Sequence, residues 1–387
     1  MQESSTSELE PALHRFPCGQ CGASLQYAPG QEALRCTHCG YENRIDAAPV
    51  SLAEHDYLQT LRDLAATGTR QDNIAIDCSS CGATFSLNTA SHAGQCPFCG
   101  SPVVAKTATH RQLQVQALLP FKIPREQARA TFRQWLHGLW FAPSSLRKAA
   151  TDASRLVGMY VPYWTYDAAT ATTYRGQRGD DYQVEESYRT VENGREVEKT
   201  RIVTKTRWTP VSGHVARDFD DVLVLASQSL PREITERLEP WDLEQLVPYR
   251  EEYLSGFQSE MYQIDLEPGF KRAREIMAVT IERDICRDIG GDHQRINAVD
   301  TRYDHIRFKH ILLPVWLSAF RFRDRTYRFV VNGRSGKVQG ERPYSAWKIT
   351  FAIVLALALA GGGWTLWQRY HQPRVSSTTP TLQMPMR

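Results

Sequence analysis

The chain has 387 residues, 42% hydrophobic and 23% charged, an ordinary globular composition with room for two or three domains, which excludes a disordered or fibrous chain. The net charge of +3 is unevenly spread. From His293 to Lys348 twelve Lys or Arg stand against four Asp or Glu, so this stretch carries +8 and the remainder about −5, and any basic surface is local.

Residues 1–15 are polar and expected to be disordered. They lack the apolar core of a signal peptide, so a reducing compartment is expected. The chain then reads Cys18-x-x-Cys21, fourteen residues, Cys36-x-x-Cys39, and repeats the figure 60 residues later at Cys78, Cys81, Cys96 and Cys99. Four thiolates in two such pairs suit a tetrahedral, borderline-soft cation, because each pair supplies two sulfurs from one tight turn. Gly22, Gly40, Gly82 and Gly100 each follow the second cysteine of a pair, where such a turn needs positive φ. The expectation is two rubredoxin-like zinc ribbons, at 16–45 and 75–110, each holding one structural Zn2+. Iron is chemically compatible with the same sulfurs. With four protein ligands per ion no position is left for water, so these metals fold the module and do no chemistry. His38 and His92 fall inside the ribbons and read as surface residues.

Between the ribbons, 46–74 reads as a helical linker. Ser51-Leu52-Ala53-Glu54 has capping-box spacing, and Leu52, Tyr57, Leu58, Leu61 and Leu64 recur at helical intervals. Its apolar face is expected to cover a ribbon or to meet a partner.

Residues 111–345 read as a β-rich α+β domain. Leu119-Pro120-Phe121-Lys122-Ile123-Pro124 suggests a strand leading into a helix, with Ala128, Phe132, Trp135, Leu136 and Leu139 inward and Pro143 as its stop. Strands are expected over 158–179 and 211–226, with a long solvent-exposed hairpin around Asn193-Gly194. Helices are expected at 231–247 and 269–289, the latter burying Phe270, Ala273, Met277, Ile281 and Ile285, with Cys286 as a buried thiol beside them. Leu313-Pro314-Val315-Trp316 echoes Val161-Pro162-Tyr163-Trp164, a weak internal repeat that suggests two related halves. Phe320 and Phe322 alternate with Arg321 and Arg323, so a basic strand face can meet an anionic leaflet or simply solvent. Asn332-Gly333 marks a turn.

A transmembrane helix is expected over 346–368, since Ile349 to Trp367 is uncharged, close to the ~20 residues needed to span, and bordered by Trp347, Trp364 and Trp367. Gly361-Gly362-Gly363 weakens it and suggests a bend or close helix contact. Arg334, Lys337, Arg342 and Lys348 precede the span, against Arg369 and Arg374 after it. Together with the thiolate ribbons this places the large N-terminal part in the cytosol and the 369–387 tail outside.

The ribbons, LPFKIP at 119–124, YVPYW at 160–164, LLPVW at 312–316 and the closing VNGRSGKVQGERPYSAWK before the span together resemble a bacterial family. Its members are membrane-associated tandem zinc-ribbon proteins often labelled "primosomal protein N′ (replication factor Y)" or "superfamily II helicase". The helicase label does not suit these residues: no G-x-x-x-x-G-K-[ST] occurs, and Gly333-Arg334-Ser335-Gly336-Lys337-Val338 is the nearest approach. The resemblance implies a scaffold at the inner-membrane cytosolic face with flotillin-like (SPFH) or phage-shock-type partners.

Three functions follow as expectations. The first is a non-enzymatic, membrane-anchored adaptor holding protein partners and lipid, with no small-molecule substrate. Nucleic-acid binding by the ribbons is disfavoured by their few basic groups, Arg35, Arg44, Arg62 and Arg70. An enzyme in the middle domain would have to draw on His293, His305 and His310 with Asp292, Asp300 and Asp304.

Overall fold

The structure is a computed structural model that describes residues 16–45, 52–67, 71–86, 93–104, 107–139, 156–192, 195–322, 325–341 and 346–371. Two strands organise it, β11 (Val157–Glu192) and β15 (His293–Phe322), which run antiparallel from Val157↔Leu317 to Gly179↔His293. The repeated motifs lie side by side here: Val161 pairs with Leu313, and Pro162 and Pro314 sit on neighbouring strands opposite Leu312 and Tyr160. The repeat therefore does not build two separate halves; both copies belong to the centre of one nine-stranded sheet.

The outer edges of this pair are filled piecewise. Beside β15 come β4 (His55–Asp56), β10 (Ala117–Leu118) and β16 (Arg325–Asn332). β10 is followed outward by β13 (Val247–Pro248), and β16 by β17 (Val338–Gly340). Beside β11 come β14 (Gln258–Ser259) at Met159–Tyr160 and then β12 (Arg195–Leu225) from Tyr163 onward. The hairpin expected around Asn193-Gly194 thus runs from Tyr163 to Glu192 on one side and from Arg195 to Leu225 on the other, although the turn itself lies outside the described residues. At ~3.3 Å per residue it projects about 100 Å.

Alternation along β11 sorts the core onto two faces. Tyr160 faces the first ribbon, while Met159, Val161 and Tyr163 face the second. The two cysteine modules therefore cover opposite faces of the sheet's broad end. The first, β1 (Leu25–Ala28), β2 (Ala33–Cys36) and β3 (Glu42–Arg44), packs Leu25, Tyr27 and Leu34 beside Phe121 and Tyr253. The second holds β5 (Gln71–Asp77), β6 (Thr84–Phe85), β7 (Ala93–Gln95) and β8 (Pro102–Val104), with β9 (Thr107–Gln112) returning beside β5. It packs Phe85 and Phe98 beside Leu119 and Leu317. A strap over residues 253–263 crosses the sheet edge between them. Ser255 accepts from Tyr27 N–H at 3.0 Å and donates its hydroxyl to Leu25 O at 2.7 Å; farther along, Met261 N–H donates to Thr84 O and Gln263 Nε2 to Gly82 O.

Helix α1 (Tyr57–Thr67) begins where Asp56 Oδ1 accepts Gln59 N–H at 2.7 Å, so Asp56 provides the cap; Ser51 lies outside the described residues. Tyr57 packs on Phe270 and Tyr166, which sets α1 against the arm and not against a ribbon, and Leu58 stays exposed. Helix α2 (Arg125–Gly138) buries Ala128, Phe132 and Leu136 as its spacing requires. The segment 231–247 is not one helix. After α3 (Arg232–Thr235), Pro240 removes a backbone donor and the chain continues as short turns at Glu236–Leu238 and Leu243–Gln245. Helix α4 (Leu266–Ile289) does bury Phe270, Ala273, Met277, Ile281 and Ile285 against the arm, and Gly290 ends it at φ 65°. Cys286 is half-buried.

The motifs that carry the resemblance converge on one aromatic cluster. Phe121 stacks on Phe257 at 4.2 Å and meets Trp316 at 5.0 Å and Tyr160 at 5.2 Å. Gly333 accepts from Lys122 and Ile123 N–H and donates to Pro314 O at 2.8 Å; a Cβ on it would lie 2.8 Å from both Pro314 O and the Phe121 ring. Gly333→Ala is therefore expected to cost ~1–3 kcal/mol through overpacking, measured as a lower denaturation midpoint; an unchanged midpoint would contradict this packing.

Helix α5 (Ala346–His371) contains Trp347–Trp367, 21 residues of mean hydropathy 1.9, long and apolar enough to cross a membrane and not packed on the body.

Candidate metal centres

Each ribbon brings its four sulfurs together by the same local device. In all four turns the glycine after the second cysteine donates its N–H to the carbonyl of the first, from Gly22, Gly40, Gly82 and Gly100 to Cys18, Cys36, Cys78 and Cys96 at 2.8–3.1 Å. Those glycines have φ of 72–75°, and three of the four have open space around an added Cβ. Backbone conformation, not crowding, therefore explains the residue type.

Within each cluster the four sulfurs lie within 4.8 Å of one another. Cys18 Sγ is 3.6 Å from Cys39 Sγ and Cys21 Sγ is 3.5 Å from Cys36 Sγ; the second cluster gives 3.7 Å for both Cys78–Cys99 and Cys81–Cys96. A tetrahedron with bonds of ~2.3 Å has edges of ~3.8 Å, so the spacing fits a shared ion, whereas a disulfide would bring two sulfurs to ~2.05 Å. The two four-cysteine clusters can bind two metal ions. Cys39 N–H points at Cys36 Sγ and brings that thiol down to about 6. Burial opposes ionisation of Cys99, yet hydrogen bonds from Ser101 bring it to about 7. Burial and neighbouring sulfurs push Cys39, Cys81 and Cys96 the other way, so within each cluster the thiols do not share one tendency to ionise. His38 is exposed, and His92 lies outside the described residues.

The six residues expected for an enzymatic site do not converge. His293 and His310 oppose Gly179 and Trp164 on β11, about 50 Å apart along the arm. His293 Nε2 meets Asp181 Oδ2 at 3.1 Å, Asp292 accepts Asp181 N–H, and Asp304 accepts from Arg302. His305 has φ 53° close to the shift in register between β11 and β15. His310 is fully enclosed between Trp164 and Tyr262; its Nδ1 meets Leu113 O at 3.1 Å, and burial pushes its pKa down to about 4.

A carboxylate group that sequence reading missed sits at the waist of the arm, where Glu54, Asp167 and Asp220 come together. Lys309 enters it, 2.8 Å from Asp221 Oδ1 and 3.1 Å from Glu54 Oε1, so an ammonium already supplies positive charge there. Burial raises Asp167 to about 7. The signal available in sequence was the carboxylate pair Asp220-Asp221 interrupting a strand.

Glu260 was also missed. It is 2% exposed, its Oε1 accepts from Ser227 Oγ at 2.7 Å, and Oε2 has no hydrogen-bond partner among the described residues. Burial raises its pKa to about 7 from an ordinary 4.5. A carboxyl raised on folding stabilises fully below its unfolded pKa, and that contribution is lost as pH rises through 7. Glu260→Gln should therefore gain stability relative to the parent as pH rises from 5 to 8, by about 2–3 kcal/mol in urea unfolding. His310 acts equally in both proteins and cancels from the difference. An identical difference at both pH values would refute the assignment.

The expected basic stretch is largely spent inside the molecule. Arg328 Nε donates to Phe98 O at 2.9 Å, Arg334 forks onto Asp242, Lys337 donates to Glu239 O, and Arg307 meets Glu54. The side chains at 320–326 lie outside the described residues.

No protein-family model matches the chain, and no solved structure matches it. Among curated proteins, the uncharacterized protein YdjG of Bacillus subtilis (strain 168) is 26% identical over 382 residues, covering 90% of this chain and 98% of that protein. The chain is similar to YdjG along nearly the whole of both, and the similarity brings no activity with it.

Proposed function

We propose that the protein is a non-enzymatic adaptor, anchored by a single C-terminal span in the inner membrane, with its body in the cytosol and one structural zinc in each ribbon. The observation that carries this reading is the arrangement itself. Two closed tetrathiolate clusters cover opposite faces of a sheet whose arm extends about 100 Å, and an apolar helix leaves the same body. Four sulfurs per ion leave no coordination position for a substrate. Thiolate sites suit a reducing compartment, which favours the cytosolic orientation.

A flotillin-like (SPFH) membrane protein is the partner class that the family resemblance implies. The test is retention of a purified flotillin-like protein on the full chain reconstituted in nanodiscs. Retention on the full chain, lost when Cys18, Cys36, Cys78 and Cys96 are together replaced by serine, is the expected result. No retention on the metallated full chain would overturn the partner class, and turnover of a small molecule by the purified protein would overturn the adaptor reading.

A further inference from the structure

The third strand of the arm stops before the hairpin does. β15 begins at His293, opposite Gly179, and Asp292 closes the ladder by donating its N–H to Gly179 O and accepting Asp181 N–H at 2.8 Å. Beyond that point β11 pairs with β12 alone, from Asp180↔Arg207 to Glu192↔Arg195. This two-stranded tip is about 40 Å long. Among the described residues no helix is packed on either of its faces.

The register sorts the tip's side chains into two unlike faces, since directly opposed residues point the same way. On one face are Tyr182, Tyr188, Lys199, Arg201, Lys205 and Arg207. Arg207 lies over Tyr182 at 5.2 Å and Arg201 over Tyr188 at 5.5 Å. With Asp180 and Glu186 as its anions, this face has four cations against two up to Val197, before the Glu192↔Arg195 register position that ends the ladder. The other face carries Asp181, Glu185, Glu196 and Glu198 against a single cation, Arg189, set among threonines. Both faces also expose apolar groups: Tyr182, Tyr188 and Val197 on the basic side, Val191 and Ile202 on the acidic side.

We infer that this tip is a self-association element, in which the basic, aromatic face of one copy packs on the acidic face of a second. The occupant follows from charge complementarity, since each copy carries both halves of the match at the same level of the same hairpin. A two-fold arrangement with like face on like face would set cation on cation or anion on anion. Stacking unlike faces is heterologous and keeps every copy in one orientation, which suits chains that each enter a bilayer through the same C-terminal helix. The inference does not depend on the adaptor reading.

The test uses the full metallated chain in detergent or nanodiscs, with mass followed by sedimentation. The parent is expected to associate at low salt and to dissociate toward 1 M salt, where the screening length falls to ~3 Å. Two charge reversals separate the faces. Lys199→Glu with Arg207→Glu makes the basic face acidic, and Glu185→Lys with Glu196→Lys makes the acidic face basic; all four positions lie apart from the Glu186–Arg201–Lys205 ion pairs inside the hairpin. Each double variant alone should associate at least about tenfold more weakly, and mixing the two should restore association in heteromeric form. If either variant misfolds, seen as lost metal, the salt dependence of the parent still decides. A parent that stays monomeric at low salt overturns the inference, as does association indifferent to both reversals. A monomeric parent that binds oligo(dT) or anionic vesicles also overturns it and assigns the basic face to a polyanion.

Discussion

Cys96→Ser is expected to reduce bound metal from two equivalents to one and to loosen the second ribbon as a unit. Cys96 is 1% exposed and Phe98, two residues on, is wholly buried against Phe85 and the sheet. The tetrathiolate supplies the order that so small a module cannot obtain from its own core, and structural zinc contributes ~10–16 kcal/mol in isolated fingers. Losing it uncovers Leu119 and Leu317, so a stability loss of more than about 3 kcal/mol is expected. Metal analysis, hydrogen exchange over 75–104 and denaturant unfolding check this. Cys286→Ser, outside both clusters, should keep two equivalents. Two equivalents retained by Cys96→Ser would remove the basis of the metal assignment.

Deleting 346–371 should move the protein from the membrane fraction to the soluble fraction while preserving both metals and the unfolding midpoint of the body. Trp347, Phe351, Leu357 and Leu366 are all more than half exposed, and the span packs on nothing in the described body. In water such a surface is untenable at this size, whereas in lipid it is the solvent-facing side of a span. Fractionation and metal content provide the measurement. An intact chain found in the soluble fraction would sink the anchoring, and loss of metal on deletion would show that α5 supports the ribbons.

Features set by local chemistry were legible in the sequence. Cysteine spacing with its glycines, the buried stripes of α2 and α4, the Asn332-Gly333 turn and a C-terminal helix long and apolar enough to cross a membrane all depend on near neighbours. The long hairpin also read correctly, because its polar alternation announces solvent on both sides. What failed depended on partners far away in the chain. The helix expected over 231–247 did not form as one piece, because Leu238 and Leu246 reach the sheet from turns on either side of Pro240. The cap of α1 moved to Asp56 because β4 must first pair with Arg307 and Phe308. Lys309 looked like part of a basic surface until Glu54, more than two hundred residues earlier, was placed beside it. The repeated Pro-x-Trp motifs read as two halves because pairing partners cannot be seen in one strand alone.

The strap at 253–263 links the two four-cysteine clusters. Ser255 bonds the first ribbon and Met261 and Gln263 the second, while Gln258 and Ser259 between them pair with β11, so forming either ribbon helps to pin the same short stretch. The entropy lost in pinning this short stretch is spent once, by whichever ion arrives first, so the second should bind more tightly. A metal titration of the apo-protein should therefore pass through little of the half-loaded form, and the protein should respond to metal scarcity as a single threshold.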